Sequence, residues 1–291
     1  MKPAPFDYHR PETLEEALGL LSELGTDARP LAGGQSLIPF MNFRLARPAA
    51  LVDLNRVDGL TEISQSGDVL TVGAMARQWD VEHSPVVGRV CPMIPAALGW
   101  VGHTATRTRG TIGGSLAHAD PAAELGTVAV SLGAEMTVAT GGGSTRTLSA
   151  SEFFLGHYTT ALAHDEILTE VRFPTMPDST SWSFREFSFR SGDFAIASAA
   201  VTLTGHTGEI DSANVTLGGV GATPVGAREA GNVLERAEPS DRLWQEAGEA
   251  AAAEIEPIDD QVPSGYRRQI VAYLVEDAAR RAWESNGGHS G

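Results

Sequence analysis

Twice the sequence breaks an apolar run with a glycine pair followed by a small polar residue: "PLAGGQSLIPF" at 30–40 and "RGTIGGSLAHADPAAEL" at 109–125. Glycine has no Cβ, so such a pair lets another backbone or a ligand come close and admits positive φ. Any fold of this chain must put both interruptions where close approach is useful. A pair by itself is weak evidence, because the chain holds 32 glycines and further pairs stand at 141–143, 218–219 and 287–288. The setting adds weight. Each pair follows an apolar strand-like or extended segment, and each leads into Ser or Gln-Ser. Consecutive N–H groups in such a loop form an anion-binding nest, and a Ser hydroxyl adds a donor. On residue types alone two readings stay open: two tight turns, or two loops that hold the phosphates of a dinucleotide without Lys or Arg. Neither loop reads G-x-G-x-x-G opening a helix, and G-x-x-x-x-G-K-[ST] is absent, so a Rossmann-type NAD site and a P-loop are unsupported.

The charge balance fits ligand capture without cations. Formal net charge is −16 and the pI about 4.8, so nucleic acid is a poor partner. "ATRTRGT" (105–111) is the one candidate basic patch. Cys91 is the single cysteine. It can form no internal disulfide, and the chain lacks the roughly four ligands of a 2Fe–2S cluster or a cysteine zinc site. Its expected role is packing near "PMIPAAL". No run of about 18 apolar residues suggests a membrane span, and "MKPAPFDYHRPE" lacks a secretory h-region, so the expected location is the cytoplasm.

Periodicity supplies the elements. "PETLEEALGLLSEL" (11–24) predicts an amphipathic helix with a Thr13–Glu16 capping box, stopped by Gly25. "ARPLA" and "ALVDLN" read as strands, giving a small αβαβ unit. A second unit follows: strand "DVLTVGAM", a helix over 76–87 until Pro85, a short helix "MIPAALGWVG", helix "AELGTVAVSLGA", and a hairpin around Gly141–Gly143. A Ser149–Glu152 capping box and strand "EILTEVRFP" complete it. "PTMPDST" (174–180) marks a boundary. Beyond it "SWSFREFSFR" alternates with a slip in phase that predicts a bulge near Arg185–Glu186. Further strands and then helices predict an α+β domain, with Arg267, Arg268, Arg280 and Arg281 on a solvated or partner-facing helix surface. The expected division is a first domain at 1–176, with subdomains at about 1–57 and 58–176, a C-terminal α+β domain at 177–285, and a frayed tail at 286–291.

"PLAGGQSLIPFMNFRLARP" and "TRGTIGGSLAHADPAAEL" together resemble the paired FAD-binding loops of the molybdenum hydroxylase medium subunits, the flavoprotein chains of the carbon monoxide dehydrogenase and xanthine dehydrogenase family. "FFLGHYTTALAHDEILTEVRFP", "REFSFRSGDFAIASAAVTL" and "TLGGVGATPV" resemble later segments of that family, so the likeness runs through nearly the whole chain. The resemblance implies an α+β chain: a two-subdomain α/β FAD-binding fold of the vanillyl-alcohol-oxidase/PCMH-like type, then a smaller C-terminal domain with a three-stranded antiparallel sheet and helices. It implies that Ala32, Gly33, Gly34, Gln35, Ser36 and Leu37 line the pyrophosphate and that Gly110, Thr111, Gly113, Gly114 and Ser115 meet it from the second subdomain. Glu124 matches an acidic position that bonds the ribityl hydroxyls, Leu168 an apolar position against the flavin ring, and Val101 one flanking the adenine. Two departures keep hydrogen-bonding capacity: Ser115 where many members have Asn, and Gln35 where many have His. Some relatives carry a Lys near the flavin's pyrimidine edge; in "FREF" that match falls on Arg185 or Glu186.

The function so implied is a flavoprotein subunit of a multi-subunit molybdenum hydroxylase. It passes electrons from a partner iron–sulfur subunit through FAD to an external acceptor. The molybdopterin lies on a third, larger subunit, and the whole is a dimer of heterotrimers. The alternative is a stand-alone FAD-dependent reductase of the same fold; a scaffold without flavin fits the intact glycines less well. No catalytic acid–base residue is expected here. His118 and Asp120 lack a convergent third ligand, so no metal site is expected, and Asp120-Pro121 reads as helix initiation. Ser36 and Ser115 lack a G-x-S-x-G setting for a nucleophile.

Overall fold

The computed structural model describes residues 2–206, 208–257 and 262–287. The first unit is a three-stranded parallel sheet in the order Asp7–His9, Ala50–Asp53, Ala28–Leu31. All four residues of the central strand are buried, as befits a parallel strand covered on both faces. Helix Leu14–Leu24 lays Ala17, Leu18 and Leu21 on the core that Ala28 and Val52 share. Only half of the expected capping box forms. The Thr13 hydroxyl accepts the Glu16 N–H at 3.2 Å, but the Glu16 carboxylate accepts the N–H of Glu12 rather than of Thr13.

The second unit is a five-stranded antiparallel sheet in the order Ile63–Ser66, Val69–Gly73, Ile167–Pro174, Glu135–Ala139, Thr145–Ser149. Its middle strand comes last in sequence and pairs with both Val69–Gly73 and Glu135–Ala139, so the unit closes only when residue 174 is in place. Between the strands run short helices, among them Met93–Leu98, Thr104–Arg107, Ile112–His118 and Glu124–Ser131. The helix expected over 76–87 is two, Gln78–Glu82 and Pro85–Val90. Pro85 lacks an N–H and suits a first helical turn, where Ser84 caps the new helix. Cys91 is buried with its thiol on the Pro174 carbonyl at 3.4 Å, and burial pushes it up to about 11, so it stays a packed thiol.

The C-terminal sheet has the order Thr180–Phe187, Ala197–His206, Glu209–Gly218, Val225–Gly226. A two-residue edge strand thus joins the three expected. Thr180–Phe187 pairs with Ala197–Thr204 without interruption, so the expected bulge is absent. The phase slip has another cause: Phe187 and Phe189 are not core residues but stand exposed. Helices Asp241–Glu254 and Ser264–Gly287 cover one face of this sheet. They cross closely, since a Cβ on Gly248 would lie 2.3 Å from the Ala272 carbonyl oxygen. Arg267 is no surface residue: it is buried, and its guanidinium donates to the carbonyls of Ile196 and Gly219, tying helix to sheet. The helix continues to Gly287, and residues 288–291 of the expected tail lie outside the described residues. On the sheet's other face Phe184 and Ala200 join the core built on Leu70, Met136 and Phe153.

Candidate functional site

The first glycine loop runs from strand Ala28–Leu31 to helix Leu37–Asn42, and the second from helix Thr104–Arg107 to helix Ile112–His118. Though far apart in sequence and on different sheets, they touch. A Cβ on Gly33 would lie 2.3 Å from the Arg109 carbonyl oxygen and 2.8 Å from Gly110 Cα, and one on Gly114 would lie 3.2 Å from Ala32 Cβ. Gly34 has φ +72°, so it also uses glycine's backbone freedom. Gly113 packs on Ala74, with no room for a Cβ.

The loops differ in their free donors. Among the described residues the successive N–H groups of Gly33, Gly34, Gln35, Ser36 and Leu37 have no acceptor. The Ser36 side chain makes no cap bond, and the Gln35 amide folds back to the Gly33 carbonyl at 3.3 Å. The second loop has most of its donors already spent, on its own turn and on the carbonyls of Ala74 and Ala76. Gly110, Ile112, Gly113 and Ser115 donate to backbone carbonyls, and Gly114 donates to the Thr111 hydroxyl at 3.1 Å. Thr111 keeps a free N–H among the described residues, and the half-buried Ser115 keeps a hydroxyl. The unpartnered donors therefore lie mainly in the first loop, which the second loop meets at Arg109 and Gly110.

Glu124 opens helix Glu124–Ser131 and is 6% exposed; Glu186, on the C-terminal sheet, is also 6% exposed and its Oε2 has no partner. Burial, then the charge of Asp120, pushes Glu124 up to about 7; burial, then the charge of Glu124, pushes Glu186 up to about 9. Two carboxyls so placed hold a proton at neutral pH. Strand alternation separates the two residues of "FREF": Glu186 lies on the face of Phe184, while Arg185 pairs with Asp277 of the C-terminal helix at 2.7 Å and its guanidinium also lies 5.9 Å from the centre of the Trp100 ring.

The remaining expected positions are less open. Val101 is half-buried, its carbonyl held by Arg107 at 3.0 Å, and Leu168 is a core residue beside a register shift in its strand. The expected basic patch is half internal: Arg107 pairs with Glu82 at 2.7 Å, and Arg109 alone is exposed. His118 lies edge-on to Phe40 and beside Tyr158, and burial pushes its imidazole down. Asp120 accepts the Ala122 N–H at 3.0 Å, a turn role. Sequence reasoning missed Asn55 and Arg77, which stand between the loops in stretches, "LNRVD" and "AMARQ", with no distinguishing signal. These donors and acceptors fit a dinucleotide flavin: a run of free amides suits its phosphates, and the buried carboxyl of Glu124 suits its polyol hydroxyls.

Comparison with known proteins gives the same picture across the chain. Residues 4–176 match the model of the FAD binding domain in molybdopterin dehydrogenase, and residues 182–282 that of the CO dehydrogenase flavoprotein C-terminal domain. The 6-hydroxypseudooxynicotine dehydrogenase complex subunit alpha of Paenarthrobacter nicotinovorans is 38% identical over 97% of this chain and 96% of its own length. A chain of carbon monoxide dehydrogenase from Hydrogenophaga pseudoflava superposes with a TM-score of 0.94 at 34% identity, covering 98% of this chain and 99% of that one. One of quinoline 2-oxidoreductase from Pseudomonas putida 86 gives 0.93 at 37% identity, covering 99% of each.

Proposed function

Because the chain belongs to the family of FAD-binding subunits of the molybdopterin dehydrogenases, we propose that its two glycine loops hold one FAD between them and that it relays electrons within a larger complex. It is an FAD-binding oxidoreductase subunit of the molybdenum hydroxylase type. The observation that carries the residue assignment is the run of unpartnered amides from Gly33 to Leu37 facing the wall of Arg109–Gly110. Those amides would take the pyrophosphate, with Thr111 and Ser115 closing on it. Glu124 would accept from the ribityl hydroxyls, Leu168 would back the flavin ring and Val101 would flank the adenine. FAD, when bound, supplies the reversible uptake of one or two electrons. The chain's residues bind and orient it, and the acid pair at Glu124 and Glu186 sets the charge around it.

The partners are a small iron–sulfur subunit and a large molybdopterin subunit, assembled as a dimer of heterotrimers. Cys91, the single cysteine and buried, leaves this chain without ligands for a cluster of its own. Turnover by the isolated chain with NAD(P)H would instead favour the stand-alone reductase. The test is the visible spectrum of the chain purified alone, with the released cofactor identified by chromatography. Bands near ~370 and ~450 nm from FAD are expected, and they should vanish in Gly34→Val. A colourless chain that also takes up no added FAD would overturn the assignment.

A further inference from the structure

The contact between the loops is braced from one side. Residues 76–78 and 110–112 form a short antiparallel bridge centred on the Arg77–Thr111 pair, with the Gln78 N–H on the Gly110 carbonyl at 2.9 Å and the Ile112 N–H on the Ala76 carbonyl at 3.1 Å. The Arg77 backbone therefore belongs to the support of the second loop. Its side chain reaches toward the first. Nη1 donates to the Arg109 carbonyl at 2.5 Å, the oxygen that faces Gly33, and Nη2 donates to Asn55 Oδ1 at 2.6 Å. Asn55 Nδ2 then donates to the Ala32 carbonyl at 2.9 Å. Asn55 is itself fixed by Asp53, whose Oδ1 accepts its backbone N–H at 2.9 Å and its Nδ2 at 2.5 Å; the other Asp53 oxygen accepts the Tyr8 hydroxyl. A continuous line of hydrogen bonds thus leads from the parallel sheet through Asn55 and Arg77 to Arg109.

We propose that Arg77 and Asn55 are a clasp that sets the separation of the two glycine loops, and so presets the FAD site before the cofactor arrives. Both are positioning residues, and the proposal rests on the reading that these loops bind FAD. The loops sit on separate sheets that share apolar contacts through Met75, Ala139 and Ile167, but the loop glycines lie outside that shared core. Without a tie at the loops, a ligand spanning them would have to bear the ordering of one against the other, which weakens binding. Arginine suits the task because its planar fork can bond two acceptors in fixed directions; lysine offers one compact charge. Burial and the nearby Arg109 work against the charge of Arg77, and the carboxylates of Asp80 and Asp53 offset part of that cost.

The test is FAD titration into FAD-stripped protein, for the wild type, Arg77→Ala, Asn55→Ala, the double variant and Arg77→Lys. Each single alanine is expected to raise Kd about ten-fold, the scale of one charge-assisted hydrogen bond. The double variant should be no worse than the weaker single, because either cut opens the same clasp. Arg77→Lys should bind like Arg77→Ala. Full additivity, or wild-type affinity in Arg77→Lys, would overturn the proposal, since a clasp is neither two independent contacts nor a bare charge. Should Arg77→Ala fail to fold, the exposed Asn55 carries the same comparison with its own alanine variant. Hydrogen exchange in the FAD-free chains gives a second readout: the hydrogen-bonded amides at the two loops, Ile38 at the first and Gly110, Ile112 and Gly113 at the second, should exchange faster in both single variants, while those of strand Glu135–Ala139 should not change. Wild-type protein that takes up no FAD would fell the functional reading; the clasp would then stand or fall on exchange, and unchanged protection of both loops would sink it.

Discussion

Gly33 leaves no space for a methyl group. The atoms in its way are the Arg109 carbonyl and Gly110 Cα, both backbone, so no side chain can swing aside. Gly33→Ala is expected to cost about 1–3 kcal/mol of overpacking strain and to loosen FAD by about ten-fold or more, read by titration of the stripped protein. Glu186 offers a test of a different kind. Its carboxyl, near 9 in the folded chain, sits near 4.3 in an unfolded one. A raised carboxyl favours folding fully below about pH 4, and that benefit drains away as pH climbs toward the folded value. FAD-free wild-type protein should therefore lose stability between about pH 5 and pH 9. Glu186→Gln should flatten that decline and melt about 3 °C or more above wild type at pH 8; identical pH profiles in a thermal scan would refute the assignment. At this scale the glycines were partly legible: residue types alone left tight turns and phosphate loops both open, and the resemblance carried by the two loops together pointed to the second. Glu186 was half legible: "FREF" offers two candidates, and only the strand's pairing shows which one turns inward. Asn55 and Arg77 were not legible, because their partners are carbonyl oxygens, which leave no mark in a sequence.

Among the elements, the short helix Thr104–Arg107 shows how a charged segment can be structural. Arg107 is 11% exposed and its partner Glu82 16%. Its second bond holds the Val101 carbonyl, so one side chain pins two helices and a loop. Arg107→Ala is expected to destabilise the chain by about 2–3 kcal/mol, measured by urea unfolding, and to weaken FAD binding in step if Val101 borders the adenine. Leu14–Leu24, with its cap and apolar stripe, and Glu124–Ser131, a continuous apolar run without a side-chain cap, form where the sequence predicts helices. The strand Asp7–His9 was invisible, since three residues carry no period, and it exists only because Ala50–Asp53 offers an open edge. Arg267 was misread for a related reason. Spacing along the helix does not reveal that two carbonyls of the neighbouring sheet wait at its turn.

Across the whole molecule, the apolar cores do not follow the sequence boundary near 174–180. Phe184 and Ala200 from the C-terminal sheet belong to the same core as Leu70, Leu116 and Phe153, with Trp182 packed against it, whereas the first unit's core draws in Met75, Ala139 and Ile167 from the second unit. A chain ending at residue 176 would bare that shared face. It is expected to bind a hydrophobic dye and aggregate, while the full chain stays monodisperse in light scattering. The strand that crosses this boundary, Thr180–Phe187, has a further property. It pairs residue for residue with no bulge, so whether the acid seam receives the carboxyl of 186 or the guanidinium of 185 depends only on whether the count is even or odd. Losing one residue from the strand would turn every side chain over and replace a proton-holding acid with a permanent cation. The sign of the charge presented to that seam is a matter of parity, and a single-residue deletion would reverse it without any substitution at the site.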